Sequence, residues 1–209
     1  MRTTRIKICG FTRAEDVAAA ARLGIDAAGF VLWPGSPRAV DVPAAAALGR
    51  ALPPWTVRVG VFVSASVDAV AAAVRAAGLG AVQLHGVADP TPYAALPVPV
   101  VWSLPLRADG PDPTAAAGTT LMIDAYDPRR HGGTGRAVDW TRAAAIAARE
   151  PLVLAGGLTP DNVAAAVRQV RPYAVDVSSG VEDAPGVKSA ARMAAFVAAV
   201  RGTPEEVPA

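Results

Sequence analysis

The sequence predicts an α/β fold made of a single (β/α)8 TIM barrel, and three observations carry that expectation. Short runs rich in β-branched residues alternate with alanine-rich stretches of helical apolar spacing. Eight such strand candidates follow one another without a linker or a shift in composition. Eight units within about 200 residues favour closure over the runner-up, an open doubly wound sheet.

In chain order the candidate strands are Arg5–Cys9, Ala27–Val31, Val57–Val63, Ala81–Leu84, Val98–Ser103, Thr119–Asp124, Leu152–Ala155 and Ala174–Ser178. The helical candidates between them are Arg13–Leu23, Pro43–Leu52, Val67–Ala77, Thr91–Leu96, Trp140–Arg149, Pro160–Val170 and Lys188–Val200. Two prolines in Asp109-Gly-Pro-Asp-Pro-Thr make helix five short or absent. Thr12 and Glu15 have capping-box spacing ahead of the first helix, and Gly24 is placed to close it in a left-handed conformation. Thr159-Pro160 has the pattern of an N-cap followed by a first helical residue, and Gly78 should close the third helix. Residues 1–201 are expected to form the catalytic barrel domain and 202–209 a frayed tail.

Alternation along a strand suggests which side chains enter the barrel. In Val57–Val63 the valines share one face, expected to pack on the helices, with Arg58, Gly60 and Phe62 inside. In the first strand Ile6 and Ile8 should face outward and Arg5, Lys7 and Cys9 inward, and in the eighth Asp176 should face inward between Val175 and Val177. Because the first and last strands must pair to close a barrel, Lys7 and Asp176 are expected to form a buried ion pair.

Composition narrows the function. With 52% apolar and 18% charged residues the chain can bury a large core. The net charge of +2 comes from arginines scattered along the chain, which leaves no nucleic-acid footprint. One cysteine allows neither an internal disulfide nor a cysteine metal site and suits a reducing compartment, and His85 and His131 lack ligand spacing. No signal-like segment and no apolar run near ~18 residues occurs, so a cytoplasmic protein without membrane partners is expected.

In such barrels reactive groups sit at the C-terminal ends of strands and in the following loops. Those positions hold Cys9, Ser36-Pro37-Arg38, His85-Gly86 and Asp124. A long loop with His131-Gly132-Gly133-Thr134-Gly135-Arg136 follows, suited to a lid or clamp, in which His131 is expected to contribute little beyond solvation. The last two strands run into Ala155-Gly156-Gly157-Leu158 and Ser178-Ser179-Gly180-Val181. Glycines there let backbone N–H groups approach an anion, and Gly156, Gly157, Ser179 and Gly180 are the expected phosphate cradle.

Six segments in order, Lys7-Ile-Cys-Gly, Gly60-Val-Phe-Val, Val82-Gln-Leu-His-Gly, Asp124 through Gly132-Gly-Thr-Gly to Asp139-Trp140, Leu154-Ala-Gly-Gly-Leu and Val175-Asp-Val-Ser-Ser-Gly-Val-Glu, resemble the phosphoribosylanthranilate isomerase family. The resemblance runs from about residue 5 to 200. It implies a (β/α)8 barrel that converts N-(5′-phosphoribosyl)anthranilate into 1-(2-carboxyphenylamino)-1-deoxyribulose 5-phosphate in tryptophan biosynthesis, without cofactor or metal. It further implies Cys9 as general base, Asp124 as general acid and Arg38 on the anthranilate carboxylate. His85 and Asp176 would line the substrate site, Asp176 chiefly through Lys7.

A free thiol near pKa ~8.5 must become a thiolate to act as a base, and Lys7 offers the nearby positive charge. Asp124 must instead hold a proton, which desolvation under the loop 125–138 would favour. The family often has an aromatic residue after this arginine, where Ala39 stands here. Indole-glycerol-phosphate synthase, which normally uses a lysine as catalytic acid at the barrel mouth, and the histidine-pathway isomerase, which uses paired aspartates, are competing phosphosugar barrels; here the first strand ends in Cys9 rather than in an aspartate or lysine, which favours the anthranilate substrate. A catalytically silent metabolite-binding barrel would need neither Cys9 nor Asp124. Oligomeric state is not legible.

Overall fold

The computed structural model describes residues 3–107, 110–125 and 138–203. Eight parallel strands close into a barrel in sequence order: β1 (Arg5–Cys9), β2 (Ala27–Val31), β3 (Val57–Val63), β4 (Ala81–His85), β5 (Val100–Leu106), β6 (Thr119–Ala125), β7 (Leu152–Leu154) and β8 (Ala174–Val177). Around them lie α1 (Ala14–Arg22), α2 (Val42–Gly49), α3 (Val67–Ala77), α4 (Trp140–Ala147), α5 (Val163–Val170) and α6 (Ala190–Arg201). A 3-10 turn at Thr91–Ala95 replaces the fourth expected helix, and no helix links β5 to β6 among the described residues. A further hairpin, β9 (Glu182–Ala184) with β10 (Val187–Lys188), follows β8. No described helix is long and apolar enough to cross a membrane, and no described group of three or more His, Cys, Asp or Glu could hold a metal.

Two apolar layers hold this arrangement. The larger lies between sheet and helices, where Ile6, Ile8, Phe62, Val82, Leu84, Ile123 and Val175 meet Val17, Val70, Ile146, Val167 and Phe196. The smaller fills the barrel interior with Met122, Val153, Ala155 and Ala174. Helix starts are fixed by local chemistry: Asp41, Ser66 and Asp139 accept backbone N–H bonds at the heads of α2, α3 and α4. Gly78 closes α3 with φ of 60° and Gly24 follows α1 with φ of 66°, as expected of left-handed glycines.

Several expectations are corrected. In β3 the valines face the interior and Arg58, Gly60 and Phe62 face the helices. The register Cys9↔Gly29↔Val59 puts Val59 on the face of the inward thiol, and Phe62 belongs to the outer layer. Both faces of a barrel strand are buried, so alternation alone carries no sign. Arg5 lies at the exposed N-terminal rim beside Asp26. The capping box fails because Arg13 is the N-cap residue of α1 and makes no side-chain capping bond, and the Thr12 hydroxyl donates to Gly186 O instead. α5 begins at Val163 rather than Pro160, after a turn in which Asn162 Oδ1 accepts from Thr159 N. Lys188, expected to start the last helix, ends the extra hairpin.

Candidate active site

β1 and β8 pair with Lys7 directly opposite Asp176, both inside the barrel. Lys7 Nζ donates to Asp176 Oδ1 at 2.8 Å, and both side chains are buried, so the expected ion pair is present. Two residues on, Cys9 is 7% exposed. A Cβ at Gly29 would stand 2.7 Å from Cys9 Sγ and 3.1 Å from Lys7 Nζ. Only glycine leaves room there, and thiol and ammonium border the same small space.

Charges around Cys9 act in both directions. Burial raises its pKa and Asp176 adds to this, while Lys7 and Lys188 lower it; the balance lies above the ordinary thiol value. Lys7 therefore acts in the expected direction, yet burial outweighs it. For Lys7 itself burial favours the neutral amine, but Asp176 and Cys9 together hold the ammonium above its usual range.

Arg38 reaches the same end of the barrel on a loop tied to β2 by the Val31↔Ala39 bridge and by Val40 N donating to Val31 O. Its stem crosses Gly10, where a Cβ would meet Arg38 Cδ at 2.6 Å and where φ is +82°. Its fork is occupied: Nε donates to Glu182 Oε1 at 2.8 Å and Nη2 to Glu182 Oε2 at 2.6 Å. Burial favours a protonated Glu182, yet Arg38 and Lys188 hold its carboxyl below the usual range. Lys188, fully buried, donates to Glu182 Oε1 at 2.7 Å, to Cys9 O at 2.5 Å and to Ser178 O at 3.3 Å.

Elsewhere on the mouth, His85 ends β4 and its Nε2 lies 2.7 Å from Gln83 Nε2, with both residues buried. Asp124, half-buried near the end of β6, lies level with Pro105 of β5. Its register places it on the inward face, three strands from Cys9 around the barrel. After β7, Gly156 and Gly157 have φ of 84° and 67°, backbone that side chains rarely adopt. Gly157 O accepts from Asn162 Nδ2. Ser179 and Gly180 lie in a 3-10 turn after β8, and a Cβ at Gly180 would fall 2.0 Å from Leu158 O. The two glycine loops are thus in backbone contact. The segment 126–137, with His131 and the glycines of the expected lid, lies outside the described residues.

The structure gathers Cys9, Lys7, Asp176 and Arg38 at one side of the mouth and the two glycine loops beside them. Sequence reasoning assigned no role to Gln83, Glu182 or Lys188. A signal for the last two was present: Pro185-Gly186 marks a turn, and Glu182 and Lys188 flank it as opposite charges across a hairpin.

This site sits in a chain with clear relatives. The family model for N-(5'-phosphoribosyl)anthranilate (PRA) isomerase matches residues 6–199. A Chromohalobacter salexigens protein named N-(5'-phosphoribosyl)anthranilate isomerase is 49% identical over 208 residues, 97% of each chain. One of that name from Pelobacter propionicus is 43% identical over 97% of this chain and 98% of its own. Among solved structures, the phosphoribosyl anthranilate isomerase of Thermus thermophilus superposes with a TM-score of 0.83 at 39% identity, covering 95% of this chain and 99% of the other. A phosphoribosyl anthranilate isomerase in complex with reduced 1-(o-carboxyphenylamino)-1-deoxyribulose 5-phosphate gives 0.81 at 32% identity, covering 96% and 100%. The chain belongs to the N-(5'-phosphoribosyl)anthranilate isomerase family.

Proposed function

We propose that this chain isomerises N-(5′-phosphoribosyl)anthranilate to 1-(2-carboxyphenylamino)-1-deoxyribulose 5-phosphate, with Asp124 as general acid and Cys9 as general base. The observation that carries the assignment is an inward-facing thiol beside a buried ammonium, on the barrel mouth that also holds an inward-facing carboxyl. Asp124 gives a proton to the furanose ring oxygen as the C1′–O bond breaks, leaving an iminium at C1′. Cys9 then takes the C2′ proton, the electron pair moves toward nitrogen, and the enolamine tautomerises to the ketone. Oxidation at C2′ balances reduction at C1′ within one molecule, so the overall change requires no external electron acceptor.

Burial keeps the resting Cys9 protonated at neutral pH. Ring opening creates a cation next to it, and an adjacent opposite charge favours the thiolate. Lys7 adds to that bias from below. Gly156, Gly157, Ser179 and Gly180 supply backbone N–H groups toward the phosphate, Arg38 takes the anthranilate carboxylate, and His85 and the Lys7–Asp176 pair form the wall beneath the sugar.

Turnover is followed by the loss of substrate fluorescence. Cys9→Ala and Asp124→Asn should each lower kcat by about 10²–10⁴-fold, the usual worth of a positioned acid or base. Near-parental kcat in both variants would show that other groups move the protons. Undiminished binding of a phosphate analogue by Gly157→Val would remove the cradle.

A further inference from the structure

Three charged side chains meet beneath the mouth of the barrel: Arg38, Glu182 and Lys188. Glu182 Oε1 accepts from Arg38 Nε, Lys188 Nζ and, at 3.3 Å, Gly186 N, while Oε2 accepts from Arg38 Nη2. The side chains of Glu182 and Lys188 are 4% and 0% exposed and that of Arg38 is 14% exposed. Two basic side chains share one carboxylate, and burial pushes the Lys188 amine below its usual range while Glu182 works to hold it charged. A guanidinium that shares its carboxylate with Lys188 keeps the capacity to bind a further anion.

Geometry says where that anion fits. The bidentate bond fixes the guanidinium plane through Nε and Nη2, and the stem is fixed by its passage over Gly10. The edge formed by Nη1 and the second hydrogen of Nη2 remains, and Nη1 has no hydrogen bond to any described residue. A second carboxylate can dock there with the same two-bond geometry. Lys188 links the cluster to the catalytic strand through Cys9 O.

We infer that Glu182 and Lys188 are positioning residues: Glu182 holds Arg38 with its Nη1 edge toward the anthranilate carboxylate, and Lys188 ties that clamp to the backbone of Cys9. The inference rests on the reading of Arg38 as the carboxylate ligand. An arginine held this way loses little freedom on binding, so affinity depends on a carboxylate the substrate never touches.

The test compares two probes by titration calorimetry, reduced 1-(o-carboxyphenylamino)-1-deoxyribulose 5-phosphate and its counterpart lacking the ring carboxyl. Glu182→Gln should weaken the first by at least about tenfold, the scale of a lost charge-assisted bond. Binding of the second should change less than about twofold. KM should rise by more than kcat falls. In an Arg38→Met background the same change should have no further effect on the first probe. Glu182→Asp, which keeps the charge but withdraws it by one carbon, should give the same selective loss and serves if the glutamine variant does not fold. Lys188→Met should lower kcat as well, through Cys9. Equal weakening of both probes, or additivity with Arg38→Met, would reduce Glu182 to a part of the scaffold and overturn the inference. If Arg38→Met itself binds the two probes as the parent does, the assignment of Arg38 fails and the inference with it. A parent that binds neither probe would refute the proposed function as well.

Discussion

Cys9 sits where burial and electrostatics oppose each other, and the outcome predicts a pH profile. Its pKa stands above the ordinary value, so the fraction of thiolate in the free enzyme grows only on the alkaline side of neutrality. The profile of kcat/KM reports groups of the free enzyme, and should rise to a limb above the usual thiol range near ~8.5. Asp176→Asn removes a negative neighbour and frees Lys7 to act on the thiol alone, so the limb should move to lower pH. The same change leaves an unpaired buried ammonium, which costs about 3–5 kcal/mol in urea unfolding. A limb that stays in place would assign the ionisation to another group. Cys9, Lys7, Asp176 and Asp124 were all legible, because strand ends and the β1–β8 seam follow from the element order. The occupied fork of Arg38 was not, because neither Arg38 nor Glu182 lies on a barrel strand and no strand pairing relates them.

At the scale of elements, seven strands were legible to within one residue as apolar runs between turn signals, whereas β5 begins two residues and ends three residues later than expected. Their phase was not. Ile6 and Ile8 face the helices while Val59 and Val61 face the interior, although both runs alternate equally well. Neighbouring strands settle the matter, because residues paired across a sheet share a face. Helix starts were misplaced where a remote partner captured the expected cap, as Gly186 O does with Thr12. The loops after β7 and β8 meet without space for a methyl group at Gly180. Gly180→Ala must displace the Leu158 carbonyl, and should cost about 1–3 kcal/mol by chemical denaturation as an overpacking change. It should also weaken binding of a phosphate analogue. Parental stability would show that the two loops part easily.

For the whole molecule, the charge clusters tie stability to pH. The folded Glu182 carboxyl lies below its ordinary range. Its contribution is therefore present above the unfolded value near ~4.3 and is lost as pH falls through the folded value. Below that point Arg38 and Lys188 keep their charges without the carboxylate. Glu182→Gln should thus be less stable than the parent near neutrality and flatten the acid limb of a urea stability profile. A limb unchanged in slope would place the acid response elsewhere. The same clusters also close the barrel: Lys7 meets Asp176 169 residues later, the Cys9 carbonyl meets Lys188 179 residues later, and Arg201 caps the carbonyls of Leu23 and Gly24. A nascent chain emerging from the ribosome therefore displays its thiol strand long before the groups that bury and hold it have been made. Until then Cys9 is an ordinary exposed cysteine, open to oxidants and electrophiles. Burial of the thiol and the arrival of its charged neighbours come together, with the last strand and the hairpin beyond it.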